Sequence, residues 1–398
     1  MTDNTPSKKR VLIVGGGFAG VKAALELSKH HRDFAITLVS DQPYFRYYPA
    51  LYHTATGGLY SQSSIPLTDI LDKNRVHIVE DRAVKIDRNA RTVTTAGGQT
   101  LPYEIAILGL GVVINYFGIK GLEENSYGIK TFEQVKKFRA HIHEQINKDA
   151  EQHYVIVGAG PTGIELAGAL PAYLEKIMHG HGVSGKKPKI TIIEAAPRLL
   201  PRSPEKVSAS VAKRLEKLGI ELRLGQTVEG ANADSLMVSG QPISSHTIIW
   251  TAGTANHPFF KENNFTIGER GKVTVDEFLR AEEGVYVVGD NAATAFSGVA
   301  QTAMHDGQFA AEDIIRRASG QAPQPYEPEK PIVFIPVGHG WAAVEWGKKI
   351  FTGRLGWHLQ QAADWRNFHT MEPWWKASEQ WMTEFGEEED CPTCAPKS

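Results

Sequence analysis

Cysteine is nearly absent: the 398 residues contain only Cys391 and Cys394, both within the last eight positions. The preceding 390 residues therefore hold neither a disulfide framework nor thiol chemistry. An excess of one charge is missing too. With 43 basic and 45 acidic residues the formal charge is -2, which gives no electrostatic case for a nucleic-acid partner. No apolar run reaches the length of a membrane-spanning helix, although lying on a bilayer stays open. The segment up to Arg10 is polar and has neither the apolar core nor the cleavage site of a secretory signal, so a cytoplasmic chain is expected. Tryptophan is scarce until the end: Trp250 stands alone before Lys330, and Trp341, Trp346, Trp357, Trp365, Trp374, Trp375 and Trp381 follow it. Apolar residues at 41% and charged residues at 22% are ordinary globular usage, and the length calls for two or three domains.

What is present is a pair of glycine turns. Val11 to Val14 is a β-branched and aliphatic run leading into Gly15-Gly-Gly17-Phe18-Ala19-Gly20 and then an alanine-rich helical pattern. Gly15 permits a tight turn, Gly17 lets the backbone approach a pyrophosphate, and Gly20 lets helix pack on strand, while the helix N-terminus offers N–H groups to phosphate. The arrangement recurs at Tyr154-Val-Ile-Val followed by Gly158-Ala-Gly160-Pro161-Thr162-Gly163. One such motif is weak; two copies, each behind its own strand, predict two dinucleotide-binding units and an α/β fold.

The end of each unit's second strand bears on which nucleotide is held. Lys189 to Glu194 closes on a carboxylate, which accepts hydrogen bonds from an unmodified ribose and repels a 2′-phosphate, so NADH is favoured over NADPH. Arg198, four residues on, is read as a loop or ion-pair residue beside that acid. In the first unit the corresponding residue is Ser40, and the acid, Asp41, comes one residue late.

The order of motifs resembles the flavoproteins with two dinucleotide-binding domains, and within them the type II NADH dehydrogenases, single-subunit NADH:quinone oxidoreductases. Beyond the glycines, the resemblance is carried by Tyr44 to Gly57 (aromatics, Pro49, Leu-Tyr, Thr-Gly), by Asn115-Tyr-Phe-Gly118, by Gly289-Asp290 behind an apolar run, and by Ala300-Gln301-Thr302-Ala303-Met-His305. It implies FAD and NADH as cofactors and a quinone as acceptor. FAD would meet Gly15, Gly17, Phe18, Ala19, Gly20, Ser40, Asp41, Gly289, Asp290, Gln301 and Thr302. NADH would meet Gly158, Gly160, Pro161, Thr162, Gly163, Glu194 and Gly253. Tyr48, Gln301 and His305 would receive the quinone, and Glu165, Gln301 and His305 would be the catalytic residues. Two of these have plainer readings. Glu165 in a first helical turn also simply favours the positive end of the helix dipole. His305 replaces a glutamine of the family signature; it suits either a proton donor to quinone or a solvated helix position.

The missing cysteines narrow the choice among relatives of this fold. Disulfide reductases and thioredoxin-reductase-like enzymes need a cysteine pair near the flavin, and sulfide:quinone oxidoreductases use core thiols; none is here. Electron flow from NADH through FAD to an outside acceptor remains, with no metal and no proton pumping implied. A soluble NADH-dependent reductase and a flavin-bound redox sensor stay open as alternatives.

The expected organisation is a flavin domain over 1–115 and 268–325, an NADH domain over 116–267, a C-terminal module over 326–385 and an acidic disordered tail over 386–398. In the module, Ile332 to Val337 and Trp341 to Trp346 read as strands joined through Gly338-His-Gly340. Leu355, Leu359, Ala362, Trp365 and Phe368 lie near a helical period, and Pro373 opens a second helix with Trp374, Ala377 and Trp381. Such stripes suit the inner face of the cell membrane, a homodimer contact or a cap over the flavin domain. The tail's Cys-Pro-Thr-Cys is read as disordered, a mobile thiol pair or half a metal knuckle.

Overall fold

The computed structural model describes residues 8–148, 152–183, 185, 187–268 and 270–371. The helix expected from Pro373 and the cysteine-bearing tail lie outside the described residues. Four helices carry candidate site residues: α1 (Phe18–Ser28), α2 (Pro161–Gly180), α3 (Ala300–Ala318) and α4 (Arg354–Met371). The chain folds into two compact units.

The first unit comprises Met1–Arg46, Ser64–Ile114 and Thr254–Pro331. Its six-stranded sheet is built around Lys9–Val14, which pairs in parallel with Phe34–Ser40 on one side and Ile105–Leu108 on the other. Val76–Glu80 extends one flank in parallel, and Val285–Val287 the other. Both faces are covered, so the central strands are uninterrupted apolar runs: Val11, Leu12, Ile13 and Val14 are all buried. The second unit comprises Tyr47–Ser63, Asn115–Gly253 and Ile332–Ser398. Its parallel sheet runs Ile220–Leu224, Lys189–Glu194, His153–Val157, Thr247–Trp250, and His153–Val157 is buried along its whole length.

The division differs from the expected boundaries in three places. The chain returns to the first unit at Thr254, ahead of 268, because Thr254–Asn256 pairs antiparallel with Val112–Ile114. Tyr47–Ser63 belongs to the second unit. So do the C-terminal strands, and glycine explains how: a Cβ on Gly168 of α2 would stand 2.6 Å from the Gly338 nitrogen. Only hydrogens there let helix and turn touch, and Arg214 adds a hydrogen bond to the Val337 carbonyl at 3.1 Å. The two expected strands form as Val333–Pro336 and Ala342–Trp346, and a third, Lys349–Gly353, completes the antiparallel sheet.

Candidate dinucleotide and redox site

The two glycine turns are stereochemical copies. Gly15 and Gly158 have φ of +115° and +107°, a region closed to most side chains. A Cβ on Gly15 would lie 2.2 Å from the Gly109 carbonyl oxygen, and one on Gly158 would lie 2.7 Å from the Ala252 nitrogen. Gly20 and Gly163 are fixed by the turn itself, their Cβ positions falling 1.9 and 2.0 Å from the carbonyl oxygens of Gly15 and Gly158. The middle glycines are different. Gly17 and Gly160 have φ of -89° and -75°, which any residue adopts, and a Cβ on either would meet nothing within 4 Å. Nothing in the protein requires glycine there. A ligand that packs against the backbone does, which is the fit expected for a pyrophosphate. Neither helix N-terminus is capped by a side chain, so its first N–H groups remain available to phosphate.

Beneath each turn the strand end differs. Glu194 accepts the Ala159 N–H at 2.7 Å and the Ala196 N–H at 2.9 Å, one on each carboxylate oxygen. It braces the second turn and keeps lone pairs for a ribose hydroxyl. Arg198 donates to the carbonyls of Leu200, Pro201 and Ser203, the loop role its position suggested. In the first unit Ser40 is buried under Gly16, where a Cβ would come within 2.5 Å of its Oγ; Asp41 beside it is exposed.

Gly289 and Asp290 follow the strand Val285–Val287 as expected. Gly289 has φ of +65°, with its Cβ position 3.3 Å from Ala303 and 3.4 Å from Ala19, so the turn, α1 and α3 close on one another. The Asp290 carboxylate accepts the Gly298 N–H at 2.9 Å. Asn291, fully buried, exchanges hydrogen bonds with the Gly111 backbone and donates to Asn256. On α3, Gln301 is exposed, while Thr302 is buried with its hydroxyl oxygen unpartnered, an orphan that a bound flavin suits. His305 points its Nε2 at the Glu327 carbonyl, 3.0 Å away.

In the second unit Glu165 sits on the first turns of α2. It retains some accessible surface, yet protein surrounds it over the longer distances at which dielectric acts. Burial, reinforced by the like charge of Asp364, pushes its pKa up to about 8. Asp364 comes from α4 and is held by the Tyr47 hydroxyl at 3.2 Å and the Gln360 amide at 3.3 Å. Tyr48 is 41% exposed. Gly253 has φ of +74°, and its Cβ position falls 2.4 Å from the Phe117 ring.

Reading the sequence missed Asp306, Asn291, Tyr326, Tyr47 and Asp364. Asp306 had a signal: it interrupts the buried stripe of α3 (Thr302, Asp306, Ala310, Ile314), and a carboxylate on a buried stripe needs partners. Tyr47 and Asp364 carried none, being 317 positions apart.

Comparison with known proteins agrees with this geometry. Residues 9–307 match the family of pyridine nucleotide-disulphide oxidoreductases. The type II NADH:quinone oxidoreductase of Staphylococcus epidermidis is 30% identical over 345 residues, 80% of this chain and 85% of that protein. That of Staphylococcus haemolyticus is 28% identical over 385 residues, 90% and 95% of the two chains. Among solved structures, NDH2 of Plasmodium falciparum in complex with NADH superposes with a TM-score of 0.85 at 16% identity, covering 95% of this chain and 98% of its own. The sulfide:quinone oxidoreductase of Aquifex aeolicus gives 0.77 at 21% identity, covering 94% and 92%. The chain thus belongs to the pyridine nucleotide-disulphide oxidoreductases and, within them, to the type II NADH:quinone oxidoreductases.

Proposed function

We propose that the chain oxidises NADH through FAD and passes the electron pair to a quinone at the inner face of the cell membrane, without pumping protons. The observation that carries this reading is the pair of middle glycines, Gly17 and Gly160, each facing open space for which the protein itself has no use. FAD is assigned to the first unit, where the glycine turn, the Gly289–Asp290 turn and the orphan Thr302 hydroxyl converge on α1 and α3. NADH is assigned to the second, where Glu194 both braces the turn and repels a 2′-phosphate.

FAD, when bound, supplies the hydride acceptor and the two-electron donor. The uncapped N-terminus of α3 places positive potential at that site and favours negative charge there. Glu165 is neutral at pH 7, so it holds a proton in the unit that binds NADH and is the candidate relay. Gln301, exposed on α3 of the first unit, is assigned as an acceptor contact. We assign His305 to fastening the segment at Glu327 rather than to proton transfer, since its Nε2 is already engaged.

Membrane attachment rests on α4. Its buried face is Gly356 and Gln360, with Asp364 partly covered, whereas Leu355 is 57% and Trp365 48% exposed. Two of its large apolar side chains, Leu355 and Trp365, are thus turned outward, as on a helix that lies in a lipid interface. Among the described residues no helix is long and apolar enough to cross a membrane.

Purified full-length protein should carry FAD, oxidise NADH with a short-chain menaquinone or ubiquinone, and float with liposomes. Protein without flavin would end the reading. NADH oxidation indifferent to quinone and lipid would favour a soluble reductase, and a stable dimer that fails to float would assign the α4 stripe to a second copy.

A further inference from the structure

Asp306 is fully buried on α3, and its two carboxylate oxygens have separate duties. Oδ2 accepts the Gly289 N–H at 2.9 Å, and Oδ1 accepts the Tyr326 hydroxyl at 2.5 Å. Tyr326 belongs to the extended segment after α3. Its backbone N–H donates to the Glu277 carbonyl at 2.7 Å, and its ring lies 5.1 Å from Phe309 and 5.3 Å from His305. His305 fastens the next residue, Glu327. At the other end Gly289 has a left-handed φ, and a Cβ on it would stand 3.3 Å from Ala303 and 3.4 Å from Ala19, so a larger residue would crowd the turn. A chain of contacts therefore runs from the segment around Tyr326, through one buried carboxylate, to the Gly289–Asp290 turn.

We propose that Asp306 is a positioning residue for the flavin: its carboxylate, tied between Tyr326 and Gly289, sets the Gly289–Asp290 turn, and releasing either tie loosens the bound cofactor. The proposal rests on the reading of the first unit as the FAD site.

The chemistry makes the tie sensitive to protonation. The Gly289 N–H can only donate and the Tyr326 hydroxyl donates as well, so an ionised carboxylate satisfies both; on protonation both bonds lose their charge assistance and the one to Tyr326 must reverse or break. Burial pushes the Asp306 pKa up to about 6 against the lowering influence of Tyr326, Gly289 and His305, with Asp290 adding to the rise. Below that pH the tie should slacken.

The test is flavin release from holoenzyme on dilution, followed by FAD fluorescence between pH 5 and 8, for wild type, Asp306→Ala, Asp306→Asn and Tyr326→Phe. Melting temperature and KM for NADH are read alongside. Asp306→Ala should loosen FAD about 10- to 100-fold, the effect of removing a charge-assisted hydrogen bond and stranding a buried N–H. Asp306→Asn keeps an acceptor for Gly289 but, like the protonated acid, brings a donor against Tyr326; it should hold FAD more loosely than wild type at pH 8 and more tightly than Asp306→Ala, and its release should no longer rise below pH 6. Tyr326→Phe should loosen FAD while leaving the KM for NADH unchanged. If Asp306→Ala does not fold, the other two variants decide. FAD held as tightly in Asp306→Asn and Tyr326→Phe as in wild type, with the wild-type pH profile kept, would overturn the proposal. Wild-type protein without FAD would instead overturn the reading beneath it.

Discussion

The first glycine turn rests on Ser40 and the second on Glu194, although the two backbones are otherwise copies: positive φ at the first glycine, a carbonyl pressed against the third, open space at the second. In the second turn the acid at the strand end is part of the structure, accepting the Ala159 N–H from within the turn. In the first, a hydroxyl packed under Gly16 fills that place, and the acid, Asp41, stands exposed one residue on. Support for the first unit's site comes from elsewhere, through Asn291 and Asp306 beneath the Gly289 turn. The glycine geometry is thus shared while the residues beneath it differ, and on the reading proposed above that difference selects the dinucleotide.

The largest effects should follow from breaking what the turns share. Gly20→Ala and Gly163→Ala each put a methyl about 2 Å from a backbone carbonyl. Each should cost about 3 kcal/mol, at the upper end of overpacking, read as a lowered unfolding midpoint in urea. An unchanged midpoint would mean that helix and strand are not packed this closely.

Next in size is the difference between the turns. Glu194→Ser gives the second turn the residue of the first and strands the Ala159 N–H. The KM for NADH should rise about tenfold, in line with the loss of a charge-assisted bond, and the preference for NADH over NADPH should narrow. If the preference stays where it is, Glu194 is a brace and nothing more.

Glu165 gives a smaller effect, visible in its pH dependence. Its folded pKa, about 8, stands above the ordinary 4.5. The folded chain therefore keeps a proton that the unfolded chain releases between those values. The associated stability is complete below about 4.5, is lost as pH rises to about 8, and is constant above. Glu165→Gln should remove that decline in urea titrations at pH 5, 7 and 9, and should remove an ionisation near pH 8 from the kcat/KM profile. A profile that keeps the ionisation would assign it to another group.

The smallest effect on the fold, though not on location, belongs to α4. Leu355→Glu with Trp365→Glu should leave the melting temperature within about 1 °C, as surface changes generally do. Liposome binding should fall at least tenfold, consistent with the loss of buried apolar area at an interface.

How much of this was legible in the sequence varied with how local the cause was. The turns were legible because strand, glycines and helix lie within about twenty residues, and the strand ending at Glu194 because its apolar run stops there. The helix beginning near Leu355 was legible from its period, but its orientation was not. A period is the same whether the stripe faces protein or lipid. Gly356 lets α4 pack on the Ala342 carbonyl, where a Cβ would be 2.2 Å away, and Leu355 and Trp365 are left exposed. The partnership of Tyr47 with Asp364, and of Asp306 with Tyr326 and Gly289, depends on tertiary closure that no window of sequence contains.

The most direct test of the account is to add one methyl to the first turn and ask which nucleotide leaves. Gly17→Ala has room for its Cβ and an ordinary φ, so the protein should fold as wild type. It should be purified without FAD, and calorimetric titration should still show NADH binding with unchanged affinity at the second turn. A Gly17→Ala protein that retains FAD, or that loses NADH binding along with it, would contradict the assignment of one nucleotide to each turn.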